Sequence, residues 1–509
     1  MELVWFDFVA FGLFIAMVMG FSLYASRKED TGEDYFLAGR QLTWWLIGFS
    51  LIASNISTEH FVGQAGRGYD IGLAIASYEW MAAVTLVIVA FFFLPHFLRS
   101  GIYTMPEFLE HRYDVRTRTI MATFMMIAYV VVALATVLYS GALAMEAVFG
   151  VDPILGIWAI GLLAGIYTVY GGLKAVVWSD LIQGIALILG GILITVLGFR
   201  AVGGVEAFFT LGADKLHVVL PWNHPEMPWV AVFIGGLWIP NLFYWGMNQF
   251  ITQRTLGARS LRDGQRGIIL AASIKLVIPF IIVFPGIMAA EIYGDTIANA
   301  DQAYPLLIRD ILPVGLTGVM FAALFGAVMS SLDSMLNSAA TIFTVDIYQR
   351  HVRKGTAEPR QLVRIGRIAT AILVVVGCLW APLVARAGSV YQYIQMFWGF
   401  ISPGIVASFL FGLFWKKTPA VAASGAMLLG IPVYGLLLWS LPQVAFLHHM
   451  MITFLVLVLF MTVVTLARPV TTPRPMPHAP SIDLTSSRGA KIGGVLVIAA
   501  TAVLYIVFW

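Results

Sequence analysis

Apolar runs of bilayer-crossing length follow one another along almost the whole chain. Fourteen can be distinguished, and each is about the 20 residues that a spanning helix needs, or longer. They lie near 4–26, 43–66, 72–98, 117–149, 153–170, 177–200, 229–255, 266–292, 313–348, 361–386, 389–414, 418–440, 448–467 and 490–508. The pattern predicts an all-α integral membrane protein with fourteen transmembrane helices.

The second run interrupts its own apolar pattern at mid-membrane. Over 47–66 it reads IGFSLIASNISTEHFVGQAG, so that Ser54, Asn55, Glu59 and His60 fall where a spanning helix should still be in hydrocarbon. A polar group there must find a partner within the protein or face a water-filled cavity. The run predicts a broken helix of the kind that binds solutes and ions in secondary transporters. The alternative is a short span that ends at Ser54 in a polar loop.

The seventh run, FIGGLWIPNLFYWGMNQFITQRT, is interrupted too. Pro240 and Asn241 and later Asn248 and Gln249 break it, and Pro240 has no backbone N–H to donate. The two broken spans are five apart, and a second copy of an odd-numbered unit must start on the opposite side of the membrane. The sequence therefore predicts a five-plus-five inverted-repeat core, with the site at the repeat interface.

This interpretation divides the chain into five parts. They are 1–42, a first peripheral helix and inner loop; 43–200, the first repeat with spans two to six; 201–228, an outer loop; 229–414, the second repeat with spans seven to eleven; and 415–509, peripheral helices twelve to fourteen. With the N-terminus outside, 24 of the 30 Lys and Arg residues, Arg254 among them, are assigned to inside loops. This asymmetry predicts that both termini are outside.

Composition agrees with a multi-pass protein of the cell membrane, embedded in a lipid bilayer. The chain is 60% hydrophobic and only 11% charged, whereas soluble domains carry about 25% charge. A net charge of +3 with its basic residues in loops indicates no nucleic-acid partner. Cys378 is the single cysteine, which excludes a disulfide framework or a thiolate metal site. The sequence contains no HExxH, P-loop or GxSxG motif and no carboxylate pair with a nucleophile, so no motif indicates an enzyme.

Several long strings resemble one known family. They are EDYFLAGR (33–40), SLIASNIS (50–57), GLAIASYEW (72–80), YGGLKAVVWSD (170–180), NLFYWGMNQ (241–249), QRTL (253–256), SSLDSMLNSAATIFTVDIY (330–348) and SPGI (402–405). They resemble the sodium/solute symporter family, and most of all its sodium–sugar cotransporter branch. The resemblance runs from about Asp7 to Trp509. It implies a fourteen-span protein that moves a sugar with Na⁺ as the coupling ion and without an organic cofactor.

The resemblance also assigns residues, position by position. It implies that Na⁺ is held at Ala53, Ile56, Ala327, Ser330 and Ser331. It implies sugar contacts at Asn55, Glu79, Asn241, Lys275 and Gln395, and an inner gate at Tyr244 flanked by Trp245. His60 and Ala82 depart from the bacterial galactose type, which leaves the preferred sugar open. Asp333 departs from many sugar transporters and is similar to the inositol branch.

The ninth run carries its polar residues on one helical face. Ser330, Asp333, Ser334, Asn337 and Ser338 are spaced at i, i+3, i+4, i+7 and i+8. A lone intramembrane serine is usually a packing residue that bonds back to its own helix. Five polar residues in a stripe favour a cation site instead, because Na⁺ prefers oxygen ligands and unwound carbonyls supply them without a carboxylate.

Other polar residues within the spans have two interpretations each. Glu79, Lys275 and Asp333 each cost at least about 2.5 kcal/mol at mid-bilayer unless paired or hydrated. Glu79 and Lys275 form either a purely structural ion pair or a pair that also meets sugar hydroxyls. Asn55, Asn241 and Gln395 both donate and accept, which suits a polyol. His60 is either a packing residue or part of the same site.

Aromatic and acidic residues complete the prediction. Tyr78, Trp80, Tyr244, Trp245 and Tyr391 are candidates to close the site from either side, although aromatic residues are also common at membrane interfaces. Asp180 is either a charge that the helix dipole favours at an N-terminus or a cation relay, and Asp333 is a second relay candidate.

The sequence therefore predicts a Na⁺-coupled symporter for a glucose- or galactose-like sugar. The alternatives are a Na⁺ symporter for another polar solute, such as myo-inositol, or an uncoupled sensor or channel on the same fold. Glu79 without a matching arginine clamp argues against an anionic substrate.

Overall fold

Helices form nearly all of the regular structure. A computed structural model describes residues 5–25, 32–313, 315–387, 390–477 and 482–509. Its α-helices are α1 Trp5–Ala25, α2 Gly32–Leu37, α3 Trp44–Asn55, α4 Ala65–Ile71, α5 Ser77–Ile88, α6 Leu94–Ser100, α7 Met105–Arg112, α8 Val115–Ile127, α9 Ala135–Phe149, α10 Pro153–Ala201, α11 Val205–Leu211, α12 Trp229–Phe233, α13 Trp238–Gly246, α14 Gln249–Leu256, α15 Leu261–Tyr293, α16 Ala303–Ile311, α17 Leu316–Thr341, α18 Pro359–Trp380, α19 Val390–Phe414, α20 Ala420–Ser440, α21 Phe446–Ala467 and α22 Arg488–Val507.

The helices confirm an all-α membrane architecture. Within the described ranges, 11 helical segments are long and apolar enough to cross a membrane, and Val9–Phe21 and Pro153–Ile166 are shorter apolar stretches. The described residues contain isolated β-bridges but no strand. The exact number of fourteen spans and the division into five parts stay predictions. The predicted junction of spans ten and eleven falls partly on 388–389, which lie outside the described residues.

The first predicted break is present, and it lies at the centre of the protein. α3 ends at Asn55, and Ile56 is extended, with φ −79° and ψ 102°. The chain then continues as a buried π-helical stretch, Glu59–Gln64, that leads into α4. A short span that ends in an exposed polar loop does not fit, because Ser57 and Thr58 are fully buried.

The second break differs from the prediction in one respect. Met247 and Asn248 separate α13 from α14, and Asn248 is extended, as the sequence indicated. Pro240 and Asn241, however, lie inside α13, so the predicted interruption at Pro240 is wrong. Pro240 is the third residue of that helix, and a proline in the first turn removes no intrahelical hydrogen bond.

Helix α10 carries two of the predicted spans, 153–170 and 177–200, in one helical segment of 49 residues. Side chains from its two halves reach the same part of α17. A Cβ on Gly141 would lie about 3 Å from both Ile160 and Val328, and a Cβ on Gly326 would lie 2.9 Å from Gln183. A straight helix would separate Ile160 from Gln183 by about 35 Å. The chain therefore turns back within α10, as two antiparallel spans require.

Glycines let neighbouring helices approach the first broken helix closely. A Cβ at Gly184 of α10 would lie 3.0 Å from the Ala53 side chain, and one at Gly286 of α15 would lie 2.1 Å from the Ala65 carbonyl oxygen. Both are at or below the shortest ordinary contacts. The first half of the broken helix, α3, is thus held against α10, and the second half, at α4, against α15.

Candidate functional site

A cavity lies between the two broken helices. Its polar and aromatic lining includes Asn55, Glu59, His60, Tyr78, Glu79, Asn241, Tyr244, Trp245, Lys275, Tyr391 and Gln395. The structure thus brings together all six residues predicted to contact the solute and four of the five gate candidates, Tyr78, Tyr244, Trp245 and Tyr391. Trp80 does not line the cavity, and its Nε1 donates to the Leu276 carbonyl at 3.2 Å. Their roles stay predictions, because proximity alone does not assign them.

Lys275 is the centre of this cavity. The residue is 1% exposed, and its Nζ donates to Asn55 Oδ1 and to Glu79 Oε2. The same nitrogen lies 5.0 Å from the centroid of the Trp245 ring, a cation–π contact. The predicted pair of Glu79 and Lys275 is therefore present, and it links α5 and α15 to the first break through Asn55.

Asn55 joins the two breaks directly. While its Oδ1 accepts from Lys275, its Nδ2 donates to the Tyr244 hydroxyl at 2.9 Å. The Tyr244 ring packs edge-on against Trp245 and Phe250, with centroids 5.2 and 5.3 Å away. Phe250 follows the second break and was not among the predicted gate residues. These rings close one side of the cavity.

His60 and Gln64 surround the other oxygen of Glu79. His60 Nε2 lies 3.5 Å from Glu79 Oε1, and Gln64 Nε2 donates to that oxygen at 3.4 Å. Within the described part of the chain, His60 Nδ1 and Gln64 Oε1 have no hydrogen-bond partner. Of these two residues, His60 lines the cavity, so its Nδ1 remains for a ligand. The sequence analysis did not include Gln64 in the site. Its spacing of four residues from His60 could have indicated it, because residues at i and i+4 lie on one helical face.

Aromatic rings close the opposite side. The Tyr78 and Tyr391 rings meet edge to face, with centroids 5.4 Å apart. A Cβ on Gly63 would lie 3.0 Å from Tyr391 Cβ, so the outer half-helix also touches this contact. Asn241 lines the cavity, but its Nδ2 donates back to the Leu237 carbonyl at 3.1 Å.

The predicted cation residues meet behind the first break. Ser330 Oγ donates to the Ala53 carbonyl at 3.2 Å, and Ser331 Oγ donates to the Ser54 carbonyl at 3.3 Å. Ile56 and Ala327 are buried beside them. The two hydroxyls and two break carbonyls supply only oxygen atoms, which suits a hard cation such as Na⁺. The residues present therefore fit the predicted ion.

Asp180 lies beside this group in a fully buried ion pair. Ser50 and Ser54 donate to its Oδ2 at 2.5 and 3.0 Å, and Ser330 donates to its Oδ1. Arg254 Nη2 donates to Oδ2 at 3.2 Å. Asp180 lies within the helical segment α10, at the fourth residue of the predicted span 177–200. Its predicted role as an ion relay stays a prediction.

Arg254 corrects the topology prediction, which placed it in an inside loop. The residue is 0% exposed on α14, and it also donates to Ser50 Oγ at 2.8 Å and to Ser334 Oγ. A count of Lys and Arg does not reveal that Arg254 is buried. In the sequence, α14 looks like the end of a span, because it directly follows the second break. The pair ties both broken helices to α10 and α17.

We expect Arg254→Leu to destabilise the folded protein strongly. The substitution leaves Asp180 charged and buried without its arginine, and breaking such a pair costs about 3–5 kcal/mol. Thermal unfolding in detergent measures the effect. Arg254→Leu with Asp180→Asn should recover part of the loss, because no unpaired charge then remains. If Arg254→Leu unfolds at the parent temperature, the pair carries no such stability.

The polar stripe of α17 divides among three neighbours. Ser330 and Ser334 contact the Asp180–Arg254 group, whereas Ser338 Oγ donates to Gln253 Oε1 at 2.8 Å. Asp333 faces another part of α10, where Thr168 Oγ1 donates to its Oδ1 at 2.5 Å. The two predicted relay residues, Asp180 and Asp333, therefore bond to different groups.

Comparison with known proteins gives a consistent result. The model of the sodium:solute symporter family matches residues 35–431. A sodium/glucose cotransporter of Vibrio parahaemolyticus is 42% identical, over 99% of this chain and 98% of that protein. An uncharacterized symporter of Escherichia coli is 38% identical, over 98% and 90%. Human sodium/myo-inositol cotransporter 2 is 33% identical, over 84% and 68%.

The fold has solved counterparts. A Na⁺-coupled sialic acid symporter, in a substrate-bound outward-open state, superposes with a TM-score of 0.83 at 25% identity and covers 93% of this chain and 99% of that one. A nucleobase-cation symporter superposes with a TM-score of 0.56 at 15% identity, over 91% and 98%, and this likeness concerns the fold alone. With a family match over most of its length and full-length symporter relatives, the chain belongs to the sodium:solute symporter family and is a transporter, not an enzyme.

Proposed function

We propose that this protein carries a neutral hexose or a similar polyol across the membrane together with Na⁺. The observation that supports the proposal most is the Lys275–Asn55–Glu79 group in a cavity between the two broken helices. Together with the imidazole of His60, the amide, carboxylate and ammonium groups of the cavity supply both hydrogen-bond donors and acceptors. A ring of hydroxyls requires both. The sodium/glucose relative at 42% identity agrees with this substrate class.

The charge balance of the cavity favours an uncharged substrate. Of the described lining residues, Lys275 is the single Lys or Arg, and Glu79 and Asn55 already accept from it. Glu59 adds a second carboxylate. An anion would meet net negative charge and no arginine fork of the kind that binds carboxylates.

The same backbone break connects solute and ion. Asn55 faces the cavity, while the carbonyls of Ala53 and Ser54, two residues and one residue earlier, face Ser330 and Ser331. A cation at those carbonyls fixes the backbone that presents Asn55. Two ligands of one coupled equilibrium must each raise the affinity of the other by the same factor. We therefore propose that Na⁺ raises the affinity for sugar.

The two aromatic closures suit alternating access. Opening at Tyr78 and Tyr391 exposes the cavity on one side, and opening at Tyr244 and Phe250 exposes it on the other. We assign the first pair to the outside and place both termini outside, in line with the distribution of Lys and Arg. A cysteine at an end of the chain that reacts with an impermeant thiol reagent in intact cells tests this orientation.

Reciprocal binding tests the proposed coupling. Tryptophan fluorescence of the purified protein, with Trp245 beside Lys275 as one reporter, is followed during titration with glucose, galactose or myo-inositol in NaCl or choline chloride. We expect a much lower apparent Kd in NaCl for at least one sugar, and a tighter apparent Na⁺ affinity in its presence. Equal sugar affinity in both salts would favour an uncoupled sensor or channel.

Myo-inositol is the second candidate within this chemistry. Human sodium/myo-inositol cotransporter 2 is 33% identical. Asp333, the residue that is similar to the inositol branch, bonds to Thr168 inside the core and does not line the cavity. This cyclic polyol offers hydroxyls around its whole ring, so the same cavity groups suit it. The titration above distinguishes it from the hexoses.

We expect His60→Gln to keep transport and change the preference among sugars. His60 Nε2 lies 3.5 Å from Glu79, and its Nδ1 faces Glu59 at 3.7 Å. Glutamine keeps one donor and one acceptor but moves both, so hydroxyl positions are matched differently, at a cost of about 1–3 kcal/mol for each unpaired polar group. Competition of unlabelled sugars against a labelled one measures the ranking. Identical rankings in parent and variant would make His60 a packing residue.

A further inference from the structure

A second polar cavity lies near the predicted outer face, away from the sugar site. Its lining includes Val62 of the outer half-helix, Ala144 and Glu146 of α9, and Asn299, Asp301 and Gln302 in the loop before α16. The sugar cavity shares none of these residues. Nothing in the proposed sugar mechanism uses the carboxylates here.

Asp301 is a buried carboxylate with an unused oxygen. The residue is 5% exposed, and among the described residues its Oδ2 has no hydrogen-bond partner. Burial raises its pKa to about 6, a net value that includes the lowering effect of the Val390 backbone amide, the raising effect of Asp70 and the lowering effect of Arg67. A buried carboxylate without a full counter-charge is costly unless a cation or proton joins it.

The nearby arginine does not supply that counter-charge. Arg67 Nη1 donates to Asp70 at 2.7 Å, and its Nη2 donates to Glu226. Two carboxylates thus already share this one guanidinium. Because Glu146 also lines the cavity, the local balance is negative, and such a field concentrates cations from solution.

A second, small cavity borders both this one and the first broken helix. It is apolar, shares Ala144 with the polar cavity and reaches Thr58. The Thr58 and Ser140 hydroxyls lie 2.7 Å apart, and both residues are buried. Thr58 is two residues beyond Ile56, at the predicted cation residues. The aromatic pair that closes the sugar cavity, Tyr78 with Tyr391, does not line either of these cavities.

We propose that Asp301 and Glu146 form an outer site for a monovalent cation, from which Na⁺ passes by Thr58 and Ser140 to the first break. The site supplies carboxylate oxygens from both residues, and Na⁺ prefers oxygen ligands. The route is separate from that of the sugar. The role as an entry route rests on the proposed function, whereas cation binding at Asp301 does not.

Thermal unfolding in detergent tests the site without transport. The background is the variant Ser330→Ala with Ser331→Ala, which removes the hydroxyls at the inner site, and the probe is NaCl against choline chloride at pH 7.5. We expect this background to keep a rise in Tm specific for Na⁺. Adding Asp301→Asn should abolish the rise, and Glu146→Gln should reduce it. Asp295→Asn, an exposed charge near the same loop, is the control and should preserve it.

Two results would overturn the proposal. One is an unchanged Na⁺-specific rise after Asp301→Asn, and the other is an equal loss with Asp295→Asn. Uptake separates this from the proposed function. If the parent shows Na⁺-driven uptake, Asp301→Asn should raise the half-saturating external Na⁺ several-fold at low ionic strength and keep the maximal rate. If the parent shows none, the proposed function fails, and the Tm experiment still decides the site.

Discussion

Ser331→Ala is expected to abolish Na⁺-stimulated uptake while the protein stays folded. Ser331 is fully buried on α17, and its Oγ donates to the Ser54 carbonyl at the first break, 3.3 Å away. The substitution removes one of few oxygens available to a cation and leaves no charge buried. The folded state should lose only about 1 kcal/mol, as for an ordinary hydrogen bond. Uptake across a Na⁺ titration, with Tm measured in parallel, gives both quantities.

Ser338→Ala is the matched control for this experiment. Ser338 lies seven residues farther along α17, is equally buried and loses a similar hydrogen bond, to Gln253 at 2.8 Å. It does not touch the break. We expect Ser338→Ala to keep the Na⁺ stimulation of the parent. If Ser331→Ala follows the parent across the titration, or if both variants lose stimulation alike, the cation is not bound at Ser331.

Lys275→Ala should abolish sugar binding and lower stability. Lys275 holds both Asn55 and Glu79, so its removal frees the amide that joins the two breaks and leaves a buried carboxylate without its ammonium. Breaking a buried pair costs about 3–5 kcal/mol. Sites built on hydrogen bonds also discriminate strongly when a partner is missing. Sugar titration in NaCl and thermal unfolding measure the two effects.

Two further variants separate folding from binding. Lys275→Met with Glu79→Gln leaves no unpaired charge, so we expect most of the stability to return without sugar binding. Gln395 lines the same cavity but is not part of the ion pair. We therefore expect Gln395→Ala to weaken sugar binding with little change in Tm. Na⁺ binding should remain measurable in both. Unchanged sugar binding in Lys275→Ala and Gln395→Ala would place the pocket elsewhere.

The helix breaks could be predicted from the sequence because polar residues within a span must find partners in the protein or face a water-filled cavity. Ser54, Asn55 and His60 could not belong to a span that faces hydrocarbon, and the extended conformation at Ile56 agrees with this. Pro240 misled the prediction, because a proline is tolerated in the first turn and the sequence does not show where α13 begins. Of the residues predicted to interrupt the seventh span, Asn248 lies at the observed break.

Partners distant in sequence were not predictable from spacing. The pairing of Asp180 with Arg254, 74 residues apart, depends on how α10 packs against α14. The charge rule for loops even assigned Arg254 to solvent. Asp333 shared a predicted face with Ser330, yet the two bond to different parts of α10, because α10 turns back and presents Thr168 to one and Asp180 to the other. Helical periodicity gives a face but not its neighbours.

Uptake by proteoliposomes tests the central proposal most directly. Vesicles with the purified protein receive labelled glucose, galactose, myo-inositol or sialic acid under an inward Na⁺ gradient, with choline in place of Na⁺ as the control. We predict that at least one neutral sugar or polyol accumulates above its external concentration, only with the gradient, and that anionic sialic acid does not. Equilibration of the neutral solutes without accumulation, or accumulation that is the same in choline, would contradict Na⁺-coupled transport.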